Sequence, residues 1–410
     1  MSIEQLHPLP SHFRLKDLAA ITGRVFELRL NPQEREAATA AHAWFDSHHV
    51  YQDLNKHRFI SHAFDSYAGM AFPDADVSHL ETCITFFLWA FSFDDLSDEG
   101  TFQSNPQAHQ AAVDISMKVL RNPAAPPPDF PFAAMLHDIW SRFRATASSG
   151  ACNRFFRAVE GWMRSQVEQI RNRAIDEIPS VNDFIILRRQ TIGGPIVESM
   201  IEYSLDLRIP EDVWDHPILQ DMSNALIDLM TWPNDLCSFN KEQADGDFQN
   251  LVFCIMIEQD CPLQTAVDIL TDMLSQRLVD YEELKAQLPS FGPEVDAELT
   301  RYIKAIEHYT QGTVVWYYSS PRYFRGQAVS GIPEIVVPVY EKSASMQDTT
   351  LTPTAKASKP APVVKHSPWV KADSSFVHTH VVLQCMIYLL LVLVAFVVVV
   401  LSVNKITFMI

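Results

Sequence analysis

Apolar residues recur every three or four positions along most of the first 340 residues, which is the spacing of helices that pack one face against a core. The clearest window is 265–288, where Val267, Leu270, Leu274 and Leu278 follow this period. Similar patterns run through 81–94, 154–172, 183–204, 213–230, 247–258 and 296–317, and Pro-rich breaks such as 122–132 separate some of them. The pattern predicts an all-α fold, a single bundle of about ten helices over residues 1–340.

The pattern changes at the C-terminal end of the sequence. Val381–Val403 holds 23 residues without a charge, and a helix of that length spans roughly 35 Å, enough to cross a bilayer core about 30 Å thick. We therefore predict a transmembrane helix at 378–403, preceded at 341–377 by a disordered tether rich in Pro, Ser, Thr and Lys. Few residues follow this helix, so it is a candidate tail anchor, and the lysines of the tether favour a body that faces the cytosol. The alternatives are a buried core helix, or a segment that the mature protein lacks, which would make the protein cytoplasmic.

Composition narrows the possible functions. The 410 residues carry a formal net charge of −18, which argues against nucleic acid as the main partner because phosphate backbones are bound by basic surfaces. The chain has only 12 glycines and no evenly spaced turn signals, which argues against a many-stranded β-sandwich and a Gly-rich nucleotide-binding domain.

An acidic cluster ends the aromatic-rich segment FLWAFSFDDLSDEG at 87–100. On a helix, Asp94 and Asp98 lie one turn apart on one face, Asp95 lies beside Asp94, and Phe87 and Phe91 share that face. Neighbouring carboxylates repel one another, and their oxygens suit hard cations such as Mg²⁺. The cluster predicts a magnesium site, although a solvated acidic helix end would have the same pattern.

A second polar row lies in NDLCSFNKEQADGD at 234–247. Asn234, Ser238 and Glu242 are spaced i, i+4 and i+8, so an amide oxygen, a hydroxyl and a carboxylate project in line. Three such oxygens can chelate one further Mg²⁺, and Lys241 beside them can reach a phosphate. A polar row on a surface helix is the alternative, but the apolar residues around this one predict partial burial, and Pro233 predicts a bend where the row starts.

Two cationic segments complete the set. SSPRYF at 319–324 follows an aromatic helix containing Trp316, and within it Arg322 and Tyr323 offer donors for a phosphate. LRRQTIGG at 187–194 offers Arg188, and its glycine pair at 193–194 predicts a break in an otherwise helical pattern.

These four motifs occur in the order DDxxD, RRxTxG, NDxxSxxKE and RY. In that order they resemble the class I terpene synthases, in particular the basidiomycete-type sesquiterpene synthases of fungi. The resemblance covers roughly residues 10–330. It implies a class I terpenoid synthase-like helical bundle, three Mg²⁺ ions, a prenyl diphosphate substrate, with farnesyl diphosphate as the expected one, and carbocation cyclisation.

The resemblance also implies roles for individual residues. The acidic motif supplies Asp94, Asp95 and Asp98 as catalytic residues. The remaining roles are those of metal ligands (Asp94, Asp98, Asn234, Ser238 and Glu242), diphosphate-binding residues (Arg188, Lys241, Arg322 and Tyr323) and the pocket lining (Phe87, Phe91 and Trp316).

Some alternatives stay open at this point. Counting from Arg188 or from Arg189 gives different residues at the helix break of the RRxTxG segment, so its effector is not assigned. The alternative enzyme is a prenyl diphosphate synthase, which would be expected to carry a second DDxxD motif where this chain has the Asn, Ser and Glu row. The other alternative is a non-catalytic, tail-anchored helical scaffold.

Overall fold

Helices make up most of the part of the chain that the computed structural model describes, which comprises residues 5–98, 105–174, 178–324, 329 and 331–341. This confirms the predicted helical fold. The helices are α1 (Leu18–Thr22), α2 (Glu34–Ser47), α3 (Asp53–Ser61), α4 (Phe64–Ala71), α5 (Val77–Asp98), α6 (Pro106–Arg121), α7 (Pro131–Thr146), α8 (Ser149–Ala174), α9 (Val181–Thr191), α10 (Gly194–Ser204), α11 (Glu211–Trp214), α12 (Pro217–Asp245), α13 (Leu251–Glu258), α14 (Leu263–Ala286) and α15 (Pro293–Ser319).

The long helices α5, α12 and α15 organise the core. Helix α5 packs against α2, α4 and α7, whereas α12 packs against α14 and α15. Helix α15 also packs against α4, and α8 packs against α10. Large aromatic side chains such as Trp89, Trp316 and Tyr302 are buried between these helices. The predicted site residues lie mainly on the inward faces of α5, α12 and α15, so this packing brings distant motifs together.

The helical pattern at 183–204 is interrupted at its glycine pair, as predicted, and forms two helices. Helix α9 ends at Thr191, and Gly193 adopts a φ of 76°, a left-handed conformation that glycine tolerates at little cost. A Cβ atom on Gly194 would lie 2.9 Å from the Ile227 Cγ1 atom of α12, so the second glycine permits close packing of α10 against α12. Both glycines therefore have a structural reason, and the break opens toward the interior of the bundle.

Helix α12 runs without interruption from Pro217 to Asp245, although Pro233 lies inside it. Proline has no backbone N–H and weakens the helix locally, so continuity depends on burial along most of the helix length. The helix ends at Gly246, which has a φ of 77°. Asn234, Ser238 and Glu242 therefore lie on one rigid element.

A small antiparallel sheet was not predicted. Strand β1 (His12–Lys16) pairs with β2 (Glu334–Pro338), with Phe13 opposite Val337 and Leu15 opposite Ile335. Each strand alternates exposed and buried residues, but each is only five residues long and its partner is more than 300 residues away. Local periodicity cannot identify such a pairing, because its stability comes from packing on the helices.

The C-terminal predictions lie outside the described residues. Contacts divide the chain into a first unit, Met1–Asp348, and a second unit, Thr349–Ile410, of which nothing is described. Within the described residues, no helix has the length and hydropathy needed to cross a bilayer. The tether at 341–377 and the transmembrane helix at 378–403 stay predictions.

Candidate active site

One cavity of about 360 Å³ opens among α5, α8, α9, α12 and α15. This volume is typical of pockets for small molecules. Eleven of the predicted site residues line it, namely Phe87, Phe91, Asp94, Arg188, Asn234, Ser238, Lys241, Glu242, Trp316, Arg322 and Tyr323. The structure therefore brings together residues from all four motifs.

The two adjacent aspartates of α5 have different surroundings. Asp94 lines the cavity, and its Oδ1 atom accepts a hydrogen bond of 2.8 Å from Gln166 Nε2. Asp95 does not line the cavity and instead forms an ion pair of 3.0 Å with Arg322. Asp95 also accepts a hydrogen bond of 3.3 Å from the Tyr51 hydroxyl. The helix α5 extends to Asp98, whose side chain lies outside what the structure describes.

The polar row of α12 lines the cavity. Its three side chains, Asn234, Ser238 and Glu242, lie on one side of the helix, as predicted from their spacing. Asn234 Oδ1 accepts a hydrogen bond of 2.6 Å from Arg188 Nη2, and Asn234 Nδ2 donates to the Tyr323 hydroxyl at 3.3 Å. Glu242 accepts a hydrogen bond of 2.8 Å from Asn250 Nδ2. The Ser238 hydroxyl is buried and has no hydrogen-bond partner within the described part of the chain. Buried polar atoms are normally paired, so this oxygen is available for a ligand.

The electrostatics of this row also favour a cation. Burial is the largest influence on Glu242, and together with the charges of Asp247 and Asp235 it raises the pKa of this carboxyl group to about 7. A bound cation would stabilise the ionised form. Within the described residues, no three Asp, Glu, His or Cys side chains converge on a metal site by themselves. The mixed amide, hydroxyl and carboxylate oxygens of α12 nevertheless fit a hard divalent cation.

The structure distinguishes the two arginines of α9. Arg188 faces the cavity, where its Nε atom donates to Asp235 Oδ1 at 3.0 Å and its Nη1 atom donates to Thr191 Oγ1 at 3.2 Å. Arg189 forms an ion pair of 2.7 Å with the buried Asp228. Arg188 is therefore the arginine that reaches both the helix break and the polar row of α12.

Aromatic rings form the apolar wall of the cavity. Tyr67 stacks on Trp316 with ring centroids 4.6 Å apart and an interplanar angle of 9°. Phe91 contacts Trp316 at 5.4 Å, and Phe87 contacts Tyr67 at 4.6 Å. The faces of such rings attract positive charge, most strongly where water is excluded.

A hydroxyl pair is set into this wall. The Tyr67 hydroxyl lies 3.0 Å from Thr313 Oγ1, which itself donates to the Tyr309 carbonyl oxygen at 2.7 Å. Because the Thr313 proton is engaged by that carbonyl, the Tyr67 hydroxyl is the donor of the pair. Burial raises the pKa of Tyr67 to about 12, so its hydroxyl stays neutral.

Most of this chain is similar in sequence to known proteins. Residues 85–280 match the family described as "Terpene synthase family 2, C-terminal metal binding". Sesquiterpene synthase Agr1 of Cyclocybe aegerita is 31% identical over 73% of this chain and 85% of its own length. The chain belongs to the terpene synthase family. Sesquiterpene synthase 1 of Postia placenta is 30% identical over 72% of this chain and 86% of its own length. The predicted resemblance to fungal sesquiterpene synthases is confirmed.

Solved structures share the fold of this terpene synthase. A structure of a-eudesmol synthase has a TM-score of 0.64 and 20% identity, and covers 72% of this chain and 97% of its own. Germacradien-4-ol synthase from Streptomyces citricolor has a TM-score of 0.64 and 20% identity, and covers 72% and 96% of the two chains. At this identity the comparison concerns the fold alone. The metal-binding description of the family supports a divalent metal ion in this terpene synthase, whereas the number of ions stays a prediction.

Several residues that line the cavity of this terpene synthase were not predicted from its sequence. Gln166, Gln169 and Asn172 of α8 line it, at a helical spacing that places three amides on one face. Asp247 lines it just beyond the C-terminal end of α12. The three amides could have been predicted from the sequence, because they are polar residues that interrupt the apolar face of the helical pattern at 154–172. Tyr67 carried no comparable signal, because an aromatic residue in a helix is more often part of the core.

Proposed function

We propose that this terpene synthase is a sesquiterpene synthase, which ionises farnesyl diphosphate and cyclises the resulting carbocation with release of diphosphate. One observation carries the proposal. A single cavity joins a rim of carboxylate, amide, hydroxyl and guanidinium groups to a wall of aromatic rings. Such a cavity suits a substrate with an anionic head and an apolar chain.

The rim residues divide into two groups of oxygen donors. Asp94 faces the cavity from α5, while Asn234, Ser238 and Glu242 face it from α12. The sequence adds Asp98, four residues after Asp94, as a further predicted ligand. In the proposal these residues hold Mg²⁺, and the resemblance to the family implies three ions. When bound, the metal supplies Lewis-acid stabilisation of the charge that builds on the departing diphosphate.

The cationic residues of the rim bind the diphosphate directly. Arg188 and Arg322 offer planar forks that match two oxygens, Lys241 offers a point charge, and Tyr323 offers a hydroxyl. Arg188 is already fixed by its hydrogen bonds to Asn234 and Asp235, so it needs little reorganisation when the substrate arrives.

The wall residues act on the other end of the substrate. Phe87, Phe91, Tyr67 and Trp316 exclude water and present ring faces to a positively charged hydrocarbon. Ring faces stabilise such a charge by about 2 kcal/mol when it is desolvated. The contour of this wall then selects how the chain folds before ring closure.

The proposal is tested with the full-length protein, Mg²⁺ and geranyl, farnesyl or geranylgeranyl diphosphate. Release of a cyclic hydrocarbon or alcohol from farnesyl diphosphate is the expected result, detected by gas chromatography and mass spectrometry. A lengthened diphosphate would instead identify a prenyl diphosphate synthase, and no turnover of any substrate would favour the scaffold.

The assignment of the rim is tested with Asp94→Asn and Glu242→Gln. Each should lower turnover at least a hundredfold and leave the melting temperature within a few degrees, because each keeps the size of the side chain. The matched controls are Asp272→Asn and Glu282→Gln, which change exposed residues of α14. Unchanged turnover in both rim variants would contradict the metal assignment.

We also propose that 378–403 anchors the protein in a membrane with its catalytic domain in the cytosol. The support is the uncharged stretch Val381–Val403 and the lysine-containing segment before it. Fluorescence microscopy of N-terminally tagged protein should show membrane localisation that is lost when 376–410 is deleted. Identical diffuse distributions of the two proteins would overturn this proposal.

A further inference from the structure

One hydrogen bond crosses from α8 to the acidic end of α5. The side-chain amide of Gln166 donates to Asp94 Oδ1 at 2.8 Å, and Gln166 is only 5% exposed. A carboxylate oxygen accepts hydrogen bonds, so the amide nitrogen, not the amide oxygen, must face Asp94. The orientation of this buried amide is therefore fixed by its partner.

Aromatic packing sets the register of this contact. Phe86 of α5 contacts Phe155 of α8 with ring centroids 6.0 Å apart. One to two turns further along both helices, Trp162 contacts Trp89 at 5.9 Å and Phe93 at 6.0 Å. The Gln166 contact continues the same row by one turn of α8. The apolar row thus aligns the two helices and brings the amide to the carboxylate.

The chemistry of the donor matters as much as its position. A neutral amide orients a carboxylate without cancelling its negative charge, whereas a guanidinium group does both. The adjacent Asp95 has a guanidinium partner, since it forms an ion pair with Arg322. Residues that orient a ligand group commonly change metal affinity tenfold to a hundredfold when they are lost.

We propose that Gln166 is a positioning residue for Asp94, holding this carboxylate in the orientation in which it binds a divalent metal. The proposal rests on the proposed function, because it assumes that Asp94 is a metal ligand. It assigns a role in the site to α8, a helix that carries none of the four sequence motifs.

The test uses Gln166→Met, which keeps the length of the side chain but removes the donor, and Gln166→Leu as a second variant without the amide. Thermal unfolding of the full chain is followed at a fixed concentration of inorganic diphosphate while Mg²⁺ is titrated. The Mg²⁺ concentration that gives half of the maximal stabilisation should rise about tenfold or more in both variants. The control is Glu168→Gln, an exposed residue of the same helix, which should titrate like the original protein.

The outcomes separate the possible roles of Gln166. A lower melting temperature without Mg²⁺, together with an unchanged Mg²⁺ titration, would show a merely structural amide and overturn the proposal. If only one of the two variants folds, its Mg²⁺ titration is compared with that of the original protein and is interpreted in the same way. If the original protein shows no stabilisation by Mg²⁺ and diphosphate, the proposed metal site itself fails. In steady-state assays, the variants should need more Mg²⁺ while their KM for farnesyl diphosphate at saturating Mg²⁺ stays within about threefold.

Discussion

Replacing Ser238 by alanine should stabilise the ligand-free protein and impair the enzyme. The Ser238 hydroxyl is buried and has no hydrogen-bond partner among the described residues. Several other buried helical hydroxyls here donate to carbonyl oxygens of the preceding turn, for example Ser199 to Ile196 at 2.6 Å and Thr231 to Ile227 at 2.7 Å, whereas those of Ser238 and Ser116 do not. Ser238 is thus an exception, located at the centre of the proposed metal row.

The magnitude follows from two effects. Leaving a buried hydroxyl unpaired costs about 1–3 kcal/mol, and this cost disappears in the alanine variant. Alanine is also the better helix former by about 0.5 kcal/mol. Together they predict a gain of about 2 kcal/mol in the free energy of unfolding. For a domain of about 340 residues, with an unfolding entropy of about 2.1 cal/mol/K per residue, this corresponds to a rise of roughly 3 °C in the melting temperature.

The assay compares Ser238→Ala with Ser199→Ala, a matched control whose hydroxyl is buried in α10 and hydrogen-bonded. The control gains the same helix propensity but loses a bond worth about 1 kcal/mol, so its stability should change little. The melting temperatures of both variants are measured by differential scanning calorimetry without Mg²⁺. In the presence of Mg²⁺ and farnesyl diphosphate, Ser238→Ala should lose at least tenfold in turnover, whereas the control should retain it.

A fall in the melting temperature of ligand-free Ser238→Ala, equal to or larger than that of the control, would refute this reasoning. It would mean that the Ser238 hydroxyl stabilises the ligand-free fold and is not an unpaired group that only a ligand satisfies. Unchanged Mg²⁺-dependent turnover in a stabilised variant would separately refute its place in the metal row.

Three further predictions concern the pH, the rim and the wall. Burial raises the pKa of Glu198 from 4.5 to about 7, so folding favours its protonated form. The resulting contribution of about 3 kcal/mol to the free energy of unfolding is present below pH 4.5 and lost as the pH rises through 7. Urea unfolding of Glu198→Gln should therefore show a shallower decline in stability between pH 5 and 8 than the original protein, and identical slopes would contradict this. Arg188→Lys keeps the positive charge but loses the guanidinium hydrogen bonds to Asn234 and Asp235. The free energy of unfolding, measured with a chemical denaturant, should fall by about 2 kcal/mol, and turnover should fall at least tenfold. A fully active variant would argue against a geometric role of Arg188. Tyr67→Phe removes only the hydroxyl that donates a hydrogen bond to Thr313. The ratio of products in gas chromatography should therefore change, while total turnover stays within about tenfold. An unchanged product ratio would exclude this hydroxyl from product selection.

Spacing along a helix was the most informative part of the sequence. The i, i+4, i+8 row of Asn234, Ser238 and Glu242 depends only on the helical period, and the structure places all three side chains on the cavity. The same period placed Asp94 on one face with Phe87 and Phe91 and Asp95 beside it, but it could not identify the partners of the two carboxylates. Their difference comes from other elements: Gln166 of α8 reaches one, and Arg322, after α15, reaches the other.

The sequence by itself determined the helical class, the family and most of the polar residues of the cavity, because helical periodicity and short motifs are local properties of a chain. The tertiary structure decided which of two neighbouring arginines, Arg188 or Arg189, turns inward, and which aromatic residues form a wall and not just a core. It also decided that β1 and β2 pair and that α8 contributes amides to the site. These features depend on contacts between residues far apart in the chain, whose energies are set by packing and burial and not by any pattern that one segment carries.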